Sequence, residues 1–301
     1  MPSQTIQWFP GHMAKTRRLI AENLKLVDLT IELRDARIPN SSRNPEIKTL
    51  TAGKPRLVLL TKTSLADPAA TEKWIKACRE EGAEALAIDS VTGEGMNKIA
   101  PTVRRMMSEK LKRYEEKGMT GRRLKAMIVG VPNVGKSSLV NKLCGAKKAK
   151  VEDRPGVTLN KQWVTTNAGI DLLDTPGVLW PKFEDARTGE NLALTGAIRD
   201  AILDIETMAG ILCLRLLEVA PTAFCTRYKL GDPAPLSDLK GHELLALVGR
   251  KRGYLISGGE IDTERAATML LDEFRGGKIG RISLEIPGES ADKGADTDAD
   301  T

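Results

Sequence analysis

The feature that most constrains this chain is GVPNVGKSSLVNKL, beginning at Gly130, placed directly after the apolar run Leu124–Val129. It fits the pattern G-x-x-x-x-G-K-[ST] in the context that pattern needs, a strand before it and a helix after it. Glycines there let main-chain N–H groups curl around a phosphate, and the helix N-terminus adds positive potential. The expected phosphate-binding residues are Asn133, Val134, Gly135, Lys136, Ser137 and Ser138. In this pattern Lys136 reaches the outer phosphates and the Ser137 hydroxyl binds magnesium.

Two further stretches belong to the same chemistry. Asp174-Thr175-Pro176-Gly177 ends the apolar run Ile170–Leu173, 38 residues after Lys136. An aspartate at that place holds magnesium through water, and the Gly177 N–H is placed for the γ-phosphate. Between them lies DRPGVT, whose Thr158 fits a residue closing over magnesium and γ-phosphate when that phosphate is present. Lys136 and Thr158 are accordingly counted as catalytic, and Ser137, Thr158 and Asp174 as the magnesium set. The combination is that of a switch-bearing P-loop NTPase.

The base-reading motif stands in an unusual place. LVLLTKTSLAD, residues 57–67, is an apolar strand ending where a guanine pocket would carry Asn-Lys-x-Asp, but Thr61 and Ser64 replace the asparagine and the aspartate. A second candidate base loop, AIDSVTGEG, follows with Asp89 and Ser90. In ordinary GTPases both loops come after the phosphate motifs; here TKTS precedes the P-loop by about 70 residues. Moving two strands ahead of the P-loop leaves a sheet's spatial neighbours unchanged, so the order reads as a circular permutation. A helix over residues 97–117 would bridge the old termini. Thr61, Lys62, Ser64, Asp89 and Ser90 form the candidate base-binding set. Asp67, followed by Pro68, reads as a helix cap with proline in the first turn instead of a displaced base reader.

Strands are expected at Leu29–Leu33, Arg56–Leu60, Ala85–Ile88, Ala126–Val129 and Ile170–Leu173, alternating with helices. That is an α/β class with a mostly parallel sheet covered on both faces. After about Pro181 helical patterns take over, as in Thr263–Phe274 with Ala266, Ala267, Leu270, Leu271 and Phe274 on one face. The organisation read from this is a GTPase-like domain with an N-terminal extension over 1–183, a smaller all-helical domain over 184–287, and a polar, acidic, disordered tail over 288–301.

With these motifs in hand, the chain resembles the ribosome biogenesis GTPase A family, the YlqF/RbgA type. The resemblance is carried by WFPGHMAK near the N-terminus, ELRDARIP, the P-loop, DTPGVLWP and GGEIDTERAATMLLDEFRGGKIGRI, and covers roughly residues 6–286. It implies a circularly permuted GTPase acting in late assembly of the large ribosomal subunit, with a helical domain on ribosomal RNA. It also implies a catalytic substitute for the water-orienting glutamine that follows DxxG in other GTPases. Val178 stands there and cannot orient water, and the family's proposed replacement is the histidine of FPGHM, here His12. The other reading of His12 is a surface or capping residue. Asn133 matches an asparagine that holds potassium in related GTPases; its other reading is a bond to the main chain. TKTS departs from the family pattern, because a neutral hydroxyl stands where a carboxylate makes a two-point contact with guanine.

Charge fits the same picture. The net charge is +6 and basic clusters stand at Lys15–Arg18, Lys110–Arg113, Arg122–Lys125, Lys147–Lys150 and Arg250–Arg252. They point to a polyanionic partner such as RNA, or to solvated helix faces. GRKRG and FRGGKIGR put cations beside glycines, which suits phosphate contact more than base stacking, aromatics being 4% of the chain. The four cysteines lack metal-site spacing and read as buried reduced thiols. No apolar run reaches membrane-spanning length and the N-terminus carries no signal core, so a cytoplasmic monomer is expected, with GTP or GDP and the ribosomal precursor as partners.

Overall fold

The computed structural model describes residues 18, 20–145, 162–174 and 185–288. Among the described residues, six strands form one sheet: β1 Leu29–Asp35, β2 Arg56–Thr61, β3 Glu84–Ala87, β4 Leu124–Val129, β5 Gln162–Thr165 and β6 Ile170–Asp174. Their spatial order is β3-β2-β1-β4-β6-β5. Every neighbouring pair is parallel except β5 with β6. The P-loop strand β4 therefore sits between β1, which precedes it in sequence, and β6, which follows it. The strands of the two candidate base loops, β2 and β3, extend the sheet beyond β1. This is the neighbour order that a permuted chain must reproduce.

The five strands read from sequence are all present. β5 was not expected: it is a short edge strand whose Trp163 stays 41% exposed, with the Lys125 ammonium 5.1 Å over its ring. The single bridging helix expected over residues 97–117 is instead two, α3 Ile99–Met106 and α4 Ser108–Glu116, parted by a turn at Met107. Met107 is buried against the core, which fixes the bend. The Asp67 cap is as read, and a second helix start is capped in the same way. Asn44 accepts from the Glu46 N–H at the start of α1 (Pro45–Leu50), and Asp67 accepts from the Ala70 N–H at 2.7 Å at the start of α2 (Pro68–Glu80).

Strand alternation divides the buried side chains between the sheet's faces. Val58 and Leu60 of β2 pack with Ala66, Cys78 and Ala85 under α2, while Met127, Val129 and Leu173 pack with Ile20, Val27 and Ile47. Leu29, Ile31, Leu33, Leu57 and Leu59 belong to a larger core that continues into the helices after residue 185. Those helices are α6 Ala186–Leu194, α7 Ile205–Val219, α8 Pro221–Tyr228, α9 Gly241–Arg252 and α10 Thr263–Arg275. The central α7 touches α6, α8, α9 and α10. Gly210 and Gly241 let α7 and α9 meet backbone to backbone: a Cβ on Gly241 would lie 2.6 Å from the Gly210 carbonyl oxygen. The apolar face of α10 is buried as its periodicity indicates.

After α10 the chain returns to the sheet as an extended strap, residues 281–285. The Ile282 and Leu284 N–H groups donate to the Leu65 and Arg37 carbonyls, and the Trp74 indole donates to the Glu285 carbonyl. The Glu285 carboxylate accepts from the Asn40 and Ser41 N–H groups at 2.7 and 3.0 Å, from the Ser41 hydroxyl and from the Asn191 amide. Burial raises its pKa above the ordinary glutamate value against those bonds. Among the described residues, no helix is long and apolar enough to cross a membrane. The four cysteines are buried, and none is in a disulfide.

Candidate nucleotide-binding site

The P-loop leaves β4 at Gly130 and enters α5, Lys136–Cys144, through Gly135. Gly130 is required by a close approach, since a Cβ would sit 2.9 Å from the Leu33 carbonyl oxygen. Gly135 has φ +103° and Asn133 has φ +55°, so the loop turns through two left-handed residues. Lys136 is 8% exposed and its ammonium donates to the Gly130 and Val131 carbonyls at 2.9 and 2.8 Å. The charge is thus held across the mouth of the loop, next to the half-buried Ser137 and Ser138 in the first turn of α5.

Asn133 makes the main-chain bond that was one of its two readings: its Nδ2 donates to the Gly196 carbonyl at 2.8 Å. Val134 is buried and its carbonyl accepts from the Thr61 hydroxyl at 2.7 Å; that hydroxyl also lies 3.1 Å from the Arg34 carbonyl. Thr61 therefore ties the base-loop strand β2 to the P-loop. A threonine suffices for that bond, since one hydroxyl proton reaches the carbonyl.

Lys62 adopts a left-handed conformation, φ +56°, and its ammonium lies 3.0 Å from Asp35 Oδ2. Asp35 also accepts from Arg37 at Nη2 (2.7 Å), Nε (2.9 Å) and the main-chain N–H (3.1 Å). Burial pushes the Asp35 carboxyl up, but the Arg37 guanidinium and the Lys62 ammonium outweigh it and hold the group well below the usual carboxylate range. Asp35 thus anchors the one TKTS residue that matches the ordinary pattern. Sequence reasoning noted ELRDARIP only as part of a resemblance; alternating charges in an otherwise apolar strand were the signal for a buried network.

Ser64 and Asp89 come together. The Ser64 hydroxyl donates to Asp89 Oδ2 at 2.5 Å, and its N–H lies 3.2 Å from the same oxygen. Asp89 Oδ1 accepts from the Val91 and Thr92 N–H groups at 2.8 and 3.0 Å. Burial raises the Asp89 pKa, but the Ser64 hydroxyl and the N–H groups of Thr92, Ser64 and Val91 prevail and keep the carboxylate ionised. Ser90 follows in the same loop. The second candidate loop thus places a carboxylate directly behind the Ser64 hydroxyl.

Asp174 closes β6 beside the P-loop strand, in register with Ile128. Its side chain, together with His12, Thr158 and Gly177, lies outside the described residues. The same holds for the Lys147–Lys150 cluster and nearly all of the acidic tail.

The cations expected to meet phosphate are partly used within the fold. Arg275 holds Asp200 and the Ala193 and Leu194 carbonyls, and Arg252 and Arg227 hold Glu273. Arg281 was read as phosphate-binding, but it donates to the Thr63 and Ala66 carbonyls at 2.9 and 3.1 Å, gripping the base loop on both sides of Ser64. That contact joins residues more than 200 apart in sequence and had no local signal. Arg250, Lys251 and Lys278 remain exposed.

Comparison with known proteins agrees with this geometry. Residues 125–212 match the family model described as 50S ribosome-binding GTPase. The chain is 46% identical to ribosome biogenesis GTPase A of Priestia megaterium over 95% of its own length and 98% of the relative's. It is 35% identical to mitochondrial ribosome-associated GTPase 1 of Mus musculus, covering 93% and 90% of the two chains. Among solved structures, GNP-bound YlqF from T. maritima superposes with a TM-score of 0.61 at 28% identity, covering 90% or more of both chains (91% and 99%). The chain belongs to the ribosome biogenesis GTPase A family of circularly permuted P-loop GTPases.

Proposed function

We propose that this protein binds and hydrolyses GTP, and that its nucleotide state times its association with the precursor of the large ribosomal subunit and its rRNA. The observation carrying this is the junction of P-loop and base loop: Thr61 bonded to the Val134 carbonyl beside the held ammonium of Lys136. In the relatives named above, the activity and the ribosomal association are part of their names.

Within this reading Asn133 through Ser138 and Gly177 cradle the phosphates, and Lys136 neutralises charge on them. Ser137, Thr158 and Asp174 are hard oxygen donors of the kind magnesium takes, alongside phosphate oxygens and water. The first turn of α5 and the end of β6 lie at the same edge of the sheet, which fits that assignment. Magnesium held there would supply positive charge to offset the charge that develops on the phosphates. The Asn133 amide oxygen, with Nδ2 held by the Gly196 carbonyl, would be the protein's donor to potassium. Thr61, Lys62, Ser64, Asp89 and Ser90 surround the base. His12 orients the attacking water, a role imidazole can fill at neutral pH. Residues 1–183 act as the GTPase domain, and 184–287 meet the ribosome as a helical domain, the exposed Arg250, Lys251 and Lys278 serving phosphate contacts. The protein works as a cytoplasmic monomer.

A second reading, an RNA-binding assembly scaffold with weak or unselective nucleotide binding, is favoured by one observation, the loss of the aspartate from TKTS. GTP hydrolysis with and without purified large subunits separates the two. The GTPase reading expects stimulation in the wild type, loss of nucleotide binding in Lys136→Ala, and retained GDP binding with lost stimulation in His12→Ala. Wild-type protein that binds the subunit but shows no stimulated hydrolysis would leave the scaffold.

A further inference from the structure

We propose that the base pocket reads its purine through a single acceptor, the Ser64 hydroxyl oxygen backed by Asp89, and so takes hypoxanthine and guanine nucleotides alike. This rests on the nucleotide site proposed above and specifies its ligand class.

The argument is one of donors and acceptors. An ionised carboxylate offers about four lone-pair positions. Those of Asp89 meet four donors: the Ser64 hydroxyl, and the N–H groups of Ser64, Val91 and Thr92. The residue is 1% exposed. Asp89 has no position left for the two donors on guanine's edge, the ring N1–H and the exocyclic amine. Ser64 has one proton and commits it to Asp89, so its oxygen can only accept from a ligand. Being half-buried, it remains at the pocket surface. A carboxylate at this position would present two oxygens to two donors; one hydroxyl oxygen takes one.

Among the described residues, no nearby group repairs the loss. Asp67 Oδ1 caps α2 at Ala70. The loop cannot swing to bring another group in, because Arg281 grips the carbonyls of Thr63 and Ala66 around Ser64. Thr61 is held on the Val134 carbonyl and the Lys62 ammonium on Asp35. A base with N1–H satisfies Ser64 whether or not C2 carries an amine, which describes guanine and hypoxanthine equally. Adenine places an acceptor at N1 and sets lone pair against lone pair.

The test is displacement of a ribose-labelled fluorescent GDP from the purified full-length protein by GDP, IDP and ADP. GDP and IDP should displace within ~3-fold of one another, with ADP weaker by on the order of 100-fold. The exchange variant Ser64→Asp/Asp89→Ser, which keeps the pair but moves the carboxylate to position 64, should raise the GDP-over-IDP preference by about 10- to 100-fold. A wild-type preference for GDP over IDP of ~30-fold or more would mean the amine is read, overturning the single-acceptor pocket while leaving the nucleotide site intact. That result needs no variant to fold. Probe binding that is undetectable, or unchanged in Lys136→Ala, would overturn the nucleotide site itself and this inference with it.

Discussion

Replacing Asp35 by asparagine removes one negative charge from between two cations and changes the side chain's shape very little. Asp35 and Arg37 are 3% and 1% exposed. Asparagine can keep a carbonyl oxygen toward the Arg37 N–H and Nε, the partners of Oδ1. Its amide nitrogen must then face Arg37 Nη2 and the Lys62 ammonium, donor against donor. Arg37 has nowhere else to turn, since its Nη1 is already buried with no hydrogen-bond partner among the described residues. Breaking a buried ion pair by removing one partner costs about 3–5 kcal/mol. That is a large part of the ~5–15 kcal/mol by which domains are usually stable. Urea unfolding should show that loss with an unchanged slope, and GDP binding should weaken because Lys62 loses its anchor. A folded-state pKa below the unfolded one means stability that is complete above the ordinary aspartate value of 3.8 and lost as pH falls below it. The wild type should therefore weaken more steeply below that pH than the variant. Combining Asp35→Asn with Arg37→Met should recover part of the loss, since no unpaired guanidinium remains. A loss under about 1 kcal/mol for the single variant would refute the claim that this carboxylate holds the network together.

Thr61→Val keeps the shape but strips the donor from the Val134 carbonyl; it should cost about 1–3 kcal/mol in denaturant and weaken GDP binding, while Thr61→Ser should behave nearly as wild type. At Asn133, alanine loses the Gly196 bond and also strains a left-handed residue, whereas glycine loses only the bond; thermal unfolding should place Asn133→Ala below Asn133→Gly by about 1 kcal/mol. Gly241→Ala should destabilise by about 1–3 kcal/mol, because its Cβ would force α7 and α9 apart; an unchanged melting temperature would show that the helices shift freely.

Strands β2 and β4 were legible because each is a buried apolar run, β1 and β6 because apolar residues recur along them, and the P-loop because its spacing is tied to a strand–loop–helix context. The order of motifs was enough to read the permutation, which the neighbour order β2-β1-β4-β6 bears out. β5 escaped because QWVT is four residues at an edge, too short for alternation to stand out. Residues 97–117 read as one helix because local propensity does not show where the core pulls in Met107. The contacts of the strap were illegible for another reason. Arg281 reaches Thr63 across a sequence gap with no periodicity, so its cationic charge read as a phosphate contact when it serves the main chain. Ser64 showed a missing aspartate, but not that Asp89 stands 2.5 Å away.

These long-range contacts explain why the helical part and the nucleotide site form one arrangement. The chain after residue 185 meets the candidate site at two places. At the phosphate end, Gly196 in the turn after α6 accepts from Asn133 of the P-loop. At the base end, Arg281 and Ile282 bond the Thr63, Ala66 and Leu65 carbonyls of the base loop. Arg275 links the two places, since it closes α10 just ahead of the strap and bonds the Ala193 and Leu194 carbonyls next to Gly196. A displacement of the P-loop turn therefore bears on the start of the helical part, and a displacement of the base loop bears on its end. Phe274 reinforces the joint, with the Arg37 guanidinium 5.5 Å over its ring and Asp35 behind that guanidinium. The buried charges of ELRDARIP thus face the base-loop lysine on one side and the helical part on the other, which is a structural reason for such charges to occur in a strand that is otherwise apolar.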